Sequence, residues 1–319
     1  MGESLNKQTR ESKVQEVLEK YRRSGKIAIE AKKLALKICK PGALAYDVCQ
    51  QIEDFIRKQG GLPAFPVNLS INHEAAHYSA EILDSRKVPE NSIIKLDLGA
   101  HIDGYMVDTA LTINYDPELE ELSEISKIAL DNAIDAVKPG VKVSELGRII
   151  EKTITDAGYQ PVRNLSGHQI KRYILHAGVS IPNCGPGVFE RINQKLEPGR
   201  IYAIEPFAST GKGWIKNGKV TNIFRYISDP KSKDRDLIKL AKEVKATVGV
   251  LPFSPRHLHD PSTGKAGKEE VTLNLRKLLR NKVIMGYPVL VEEDKSIRVS
   301  QHEHTIRVTR DGYEVFTRE

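Results

Sequence analysis

One stretch of punctuation occurs twice, 98 residues apart, and limits the folds open to this chain more than any other feature. Lys40-Pro41-Gly42 returns as Lys138-Pro139-Gly140, Ile52-Glu53 as Ile150-Glu151, Ile56 as Ile154 and Gly60 as Gly158. Asn68-Leu69-Ser70 has an echo in Asn164-Leu165-Ser166 at a slightly shorter offset. The matches keep their order within a helix–turn–helix–loop frame, in which Pro-Gly stops one helix and a lone Gly caps the next. Such a duplication predicts two similar halves related by a pseudo-twofold axis, with a site between them.

Around the first copy, Ile27, Ala31, Leu34 and Ile38 recur at helical spacing and predict a helix from about Glu11 to Lys40. A second is expected from about Ala45 to Gln59, stopped at Gly60-Gly61. Strand signals are strongest at Ser92 to Leu98, Tyr105 to Tyr115, Arg200 to Phe207 and Ile297 to Val308. This order predicts an α+β fold, a pseudo-twofold antiparallel sheet backed by helices. Residues 228–287 differ in character: they open on Ser228-Asp229-Pro230-Lys231-Ser232-Lys233-Asp234 and carry two helical patterns, Leu237 to Val248 and Glu269 to Leu279. They read as a helical insertion subdomain.

With 319 residues, 39% hydrophobic and 29% charged, the chain can bury a sizeable core as an ordinary globular protein. Its three cysteines, Cys39, Cys49 and Cys184, form no C-x-x-C and no finger spacing, and so suggest neither a disulfide framework nor a structural zinc site. They fit a reducing compartment. The N-terminus lacks the apolar stretch of a signal peptide, and no apolar run approaches the roughly 20 residues of a membrane span. A cytoplasmic protein without membrane contact is expected. The net charge of +7 is spread along the chain and reads as a solvated basic surface, or as weak attraction to a polyanion.

Chemistry enters with Lys95-Leu96-Asp97-Leu98-Gly99, Asp103-Gly104 and Val107-Asp108-Thr109. If Asp103-Gly104 is a two-residue hairpin turn, Asp97 faces Ala110, and Asp108 lies diagonal to Asp97 on the same face. Two carboxylates facing a core repel unless a cation lies between them; the alternative is that one or both face solvent or cap a turn. Glu205, in Ile204-Glu205-Pro206-Phe207, and Glu303, in Gln301-His302-Glu303-His304, are further acids inside strand patterns, and His168 and His176 follow small-residue or apolar segments. Four carboxylates and one imidazole suit manganese, iron, cobalt or zinc rather than a thiolate site.

The order Asp97, Asp108, His168, Glu205, Glu303, set in K-L-D-L-G, V-D-T-A, S-G-H, I-E-P-F and H-E-H-T, resembles the five-ligand metal site of methionine aminopeptidases and related "pita-bread" peptidases, from about residue 15 to the C-terminus. Ala75-Ala76-His77-Tyr78, Ile174-Leu175-His176-Ala177-Gly178, Ser209-Thr210-Gly211-Lys212-Gly213 and the long gap from Glu205 to Glu303 resemble the second, archaeal-style type of methionine aminopeptidase. The resemblance implies a single catalytic domain over residues 1–319. It also implies two divalent metal ions per chain: Asp108 and Glu303 bridging them, Asp97 holding one, and His168 with Glu205 holding the other. A water activated there would remove the initiator methionine from nascent polypeptides whose second residue is small. Glu205 would double as proton shuttle, while His77 and His176 would position and stabilise the reacting amide. Phe65, Phe207 and Tyr287, with Ile223 and Leu175 less securely aligned, would line the methionine slot, and one of these five is expected to be plain core. The implied protein is a monomer, compatible with transient ribosome association. The alternatives are an Xaa-Pro aminopeptidase or prolidase, and a non-catalytic ribosome- or nucleic-acid-binding member of the fold.

Overall fold

Both copies of the repeated punctuation build the same unit in the computed structural model, which describes residues 2–186, 194–259 and 267–319, with side chains from residue 11 onward. The first half comprises α1 (Gly2–Ile38), α2 (Ala45–Lys58), the short strands β1 (Leu62–Pro63), β2 (Asn68–Ile71) and β3 (Glu74–Ala76), and the hairpin β4 (Ile93–Ile102) and β5 (Tyr105–Asn114). The second half begins with α3 (Glu120–Asp135), α4 (Val143–Asp156), β6 (Gln160–Pro161), β7 (Ser166–Ile170), β8 (Ser180–Pro182), β9 (Ile201–Ile204) and β10 (Phe207–Ser209). After these come β11 (Lys216–Tyr226), α5 (Arg235–Val248), α6 (Lys268–Arg280), β12 (Ile284–Val291), β13 (Val299–Gln301), β14 (His304–Val308) and β15 (Tyr313–Val315).

The duplication is structural. The elements α4, β6 and β7 begin 98 residues after α2, β1 and β2. Gly42 and Gly140 share left-handed φ values of 86° and 81°, as do Gly60 and Gly158 at 79° and 85°. Because Ser166, not Asn164, takes the place of Asn68 at the start of the strand, the echo of Asn68-Leu69-Ser70 in Asn164-Leu165-Ser166 is two residues out of step. It plays no part in the symmetry.

Strand β4 carries β1 and β2 on one edge and β5 on the other. The second half repeats this around β9 and β10, with β7 and β6 on one edge and β14 and β13 on the other. Strands expected to run unbroken over Arg200 to Phe207 and Ile297 to Val308 are each split, at Glu205-Pro206 and at His302-Glu303. Pro206 has no N–H for a ladder, and its carbonyl instead accepts from the His302 amide at 3.4 Å.

The fully buried Ala28, Ala31 and Ala35 let α1 approach β4 and β5 closely, and α2 adds Val48, Ile52 and Ile56 to the same core. In the second half Leu130, Ile134, Leu146 and Ile150 of α3 and α4 cover β9 and β14. Threonine hydroxyls join the halves where β5 meets β13 and β14. Thr109 donates to the Glu303 carbonyl and Thr112 to the Gln301 carbonyl, both at 2.7 Å, and Thr305 both donates to the Asp108 carbonyl and accepts from its amide at 2.7 Å. Between β11 and β12, Leu237, Ala241, Val244, Val271, Leu275 and Leu278 form a further core with Phe224 and Phe253. Residues 260–266 of the expected insertion lie outside the described residues.

Candidate active site

The hairpin turn is made by Asp103 and Gly104, at φ 52° and 79°, the conformation that Asp-Gly is suited to adopt. Its register sets Asp97 opposite Ala110 and Asp108 opposite Gly99, so the two aspartates converge on one face as expected. The duplication supplies the rest. Ser70 pairs with Lys95 in the first half and His168 with Ala203 in the second, so Asp97 and Glu205, two residues further on, occupy equivalent places. Glu205 and Glu303 sit at the strand breaks rather than inside the strands. There the chain leaves the ladder, and an acid can face the cavity without disturbing strand pairing.

All five residues line a cavity of about 410 Å³ between the halves. Ligand atoms of Asp108, His168 and Glu303 lie within 4.8 Å of one another. His168 Nε2 is 3.4 Å from Asp108 Oδ2 and 3.6 Å from Glu205 Oε1. Buried and without a hydrogen-bond partner are Asp97 Oδ1, Asp108 Oδ1, Glu303 Oε1 and His168 Nδ1. Four acids and one imidazole in one buried spot, three of the acids with an unsatisfied oxygen, are costly unless protonated or bound to a cation. This donor set fits a divalent metal of the manganese-to-zinc series.

Burial first, and the neighbouring carboxylates second, push Asp97, Glu205 and Glu303 well above the usual carboxylate range. Burial lifts Asp108 to about 7. Burial lowers His168 and His77 to about 4 and His176 to about 3, so all three are neutral imidazoles at neutral pH. The sign for stability follows. A carboxyl raised in the folded state binds its proton more tightly folded than unfolded, so the metal-free protein loses stability as pH rises through the folded value. The depressed histidines act oppositely below about 6.5, where they gain protons on unfolding. Chelated protein should therefore show a falling midpoint of thermal unfolding from pH 7 to 8.5. Metal-loaded protein should show none, because metal replaces the protons. Parallel slopes by calorimetry would contradict a cation-binding cluster.

The model of metallopeptidase family M24 matches residues 19–250. The chain belongs to metallopeptidase family M24. Methionine aminopeptidase of Saccharolobus solfataricus is 42% identical over 305 residues, covering 94% of this chain and 98% of the relative. That of Methanocaldococcus jannaschii is 39% identical over 300 residues, covering 94% and 98%. Methionine aminopeptidase of Thermotoga maritima shares the fold at a TM-score of 0.67, 22% identity and coverage of 94% and 96%.

The other expected residues of this M24 metallopeptidase also line the cavity: His77, His176, Phe65, Phe207, Tyr287, Ile223 and Leu175. None of the five apolar candidates is core alone, contrary to expectation. Strands β11 and β12 set Ile223 opposite Tyr287. His77 is held at φ 66°, a strained backbone for a residue with a Cβ. Its ring lies edge-on to Tyr287, and Nδ1 is 3.3 Å from the Pro288 carbonyl. His176 stacks edge-on against His168 with ring centroids 4.4 Å apart. Sequence reading missed Asn68 and Asn164, which also line the cavity. Neither lies in a stretch with a strand pattern strong enough to be read from the sequence, so no local signal marked them.

Proposed function

We propose that the chain is a type-two, archaeal-style methionine aminopeptidase that removes the initiator methionine from nascent polypeptides with a small second residue. The observation that carries this reading is the set of unsatisfied carboxylate oxygens at an apolar cavity, in a chain 42% identical to a methionine aminopeptidase. Asp97, Asp108, His168, Glu205 and Glu303 would hold two ions of cobalt, manganese, iron or zinc, and the chemistry supplied there would be activation of a water for attack on the first peptide carbonyl.

The remaining work falls to side chains. Glu205, at the strand break that faces the cavity, would take a proton from the water and pass it to the leaving amine. His77 is neutral and points Nδ1 at the Pro288 carbonyl, so Nδ1–H donates and Nε2 is left as an acceptor for the scissile N–H. His176, also neutral, would donate to the charge developing on the carbonyl oxygen. Phe65, Phe207, Tyr287, Ile223 and Leu175 offer an apolar wall to an unbranched thioether. Residues 228–287 would form an insertion subdomain whose edge carries Tyr287. The net charge of +7 would favour transient association with the ribosome from a monomer.

A free α-amino group is required by this reading. Methionine should be released from Met-Ala-Ser and none from its N-acetylated form; equal cleavage of both would point to an endopeptidase.

A further inference from the structure

On β11, Phe224 and Tyr226 turn into the core around α5 and α6, together with Phe253 and Ile284, so Ile223 and Arg225 share the opposite face. The pairing with β12 is regular here and sets Ile223 against Tyr287 and Arg225 against Met285. The bridge between Phe224 and Phe253 brings Pro252 beside Arg225 on its other flank. Ile223, Tyr287 and Pro252 all line the cavity. Arg225 continues their wall to the rim, where it is half-buried and Met285 beside it is 37% exposed. Burial is the first cause of the lowered His176 and the raised Tyr287, and the Arg225 charge adds to the one and opposes the other. The guanidinium therefore stands within electrostatic reach of both. Among the described residues it has no acidic partner; Nη2 meets the Met285 sulfur at 3.9 Å.

We propose that Arg225 is a specificity-determining residue for the substrate chain beyond its second residue, taking a side-chain carboxylate at the third or fourth position. This rests on the aminopeptidase reading above. A guanidinium carries five N–H donors and no acceptor, and a thioether is only a weak acceptor. Neither the methionine side chain nor a small second side chain answers such a group, so its partner comes from the chain that leaves over the rim. A carboxylate there accepts two parallel N–H bonds, which a single main-chain carbonyl cannot do.

The test uses peptides amidated at the C-terminus, so that no terminal carboxylate competes. With metal-loaded protein, kcat/KM for Met-Ala-Asp-Gly-Gly amide or Met-Ala-Gly-Asp-Gly amide should exceed that of the same peptide with Lys for Asp about tenfold, the scale of a charge-assisted hydrogen bond. The ratio should shrink with added salt, because the rim is open to screening. Arg225→Met should make the Asp, Gly and Lys peptides equal, and Arg225→Glu should reverse the order. Both variants should keep the metal content and thermal midpoint of the unsubstituted protein. Equal cleavage of the Asp, Gly and Lys peptides by the unsubstituted protein, or an acid preference that survives in Arg225→Glu, would overturn the assignment. Absence of methionine release from every peptide would instead refute the underlying aminopeptidase reading.

Discussion

Glu303→Gln lowers kcat/KM for Met-Ala-Ser by at least about a thousandfold, equivalent to roughly 4 kcal/mol of transition-state stabilisation, and the protein stays folded. Asp108→Asn behaves alike. Both residues belong to the cluster whose ligand atoms lie within 4.8 Å of one another. Each substitution keeps the side-chain shape and removes a negative charge that a bound cation would offset. Bound metal should fall with activity, as elemental analysis would show. Thermal stability of the chelated variants should equal or exceed that of the chelated parent, because burial and mutual repulsion disfavour these charges in the metal-free state. Retention of a tenth or more of the activity by either variant would contradict the assignment of these carboxylates to the metal.

The largest effect on stability is expected outside the proposed metal site, at Glu53. This side chain is fully buried, and Arg256 holds it with Nη2 at 2.8 Å and Nη1 at 3.2 Å. His257 Nε2 adds a contact at 2.8 Å and the Val67 amide donates at 3.0 Å. Arg256 also donates to the Ala80 carbonyl and to Ser79. The cluster thus ties the segment after α5 to α2 and to the chain between β3 and β4. Burial alone would raise the Glu53 carboxyl, but Arg256 and then His257 hold it far below the usual range. Arg256→Met leaves the carboxylate without its main counter-charge and should cost roughly 3–5 kcal/mol, a fall of about 6 °C in the unfolding midpoint for a chain of this size. The double variant Glu53→Leu with Arg256→Met should recover most of that loss. A midpoint shift below about 1 °C for Arg256→Met would show that the pair is solvated rather than buried. Because the folded-state carboxyl is depressed, its contribution is present above the unfolded value near 4.3 and is lost as pH falls further.

Features set by local backbone chemistry were legible in the sequence. Gly42, Gly60, Gly140 and Gly158 mark helix ends because their positive φ values suit Gly whatever packs around them, so the duplication could be read before any fold was known. Asp103-Gly104 likewise determined the hairpin register, and with it the convergence of Asp97 and Asp108. The break at Glu205-Pro206 was less visible, because Ile204 and Phe207 on either side are both buried and apolar; across Glu303 the alternation of buried Gln301, Glu303 and Thr305 runs on as it would in an unbroken strand. Strands β11 and β12 went unread for a related reason: residues 216–221 are largely exposed, and two irregularities interrupt their register, which erases the alternation. The threonine seam joining the halves depends on pairings nearly 200 residues apart, such as Thr109 with Glu303, and no local pattern encodes it.

The most direct measurement is amino acid release from Met-Ala-Ser and from an Xaa-Pro peptide, offered together to chelated protein and then to the same protein resupplied with manganese or cobalt. The proposed five-residue metal centre and methionine slot predict silence after chelation and, on resupply, release of methionine with the Xaa-Pro peptide intact. Cleavage of the Xaa-Pro peptide alone, or methionine release that persists undiminished in the chelated protein, would contradict them.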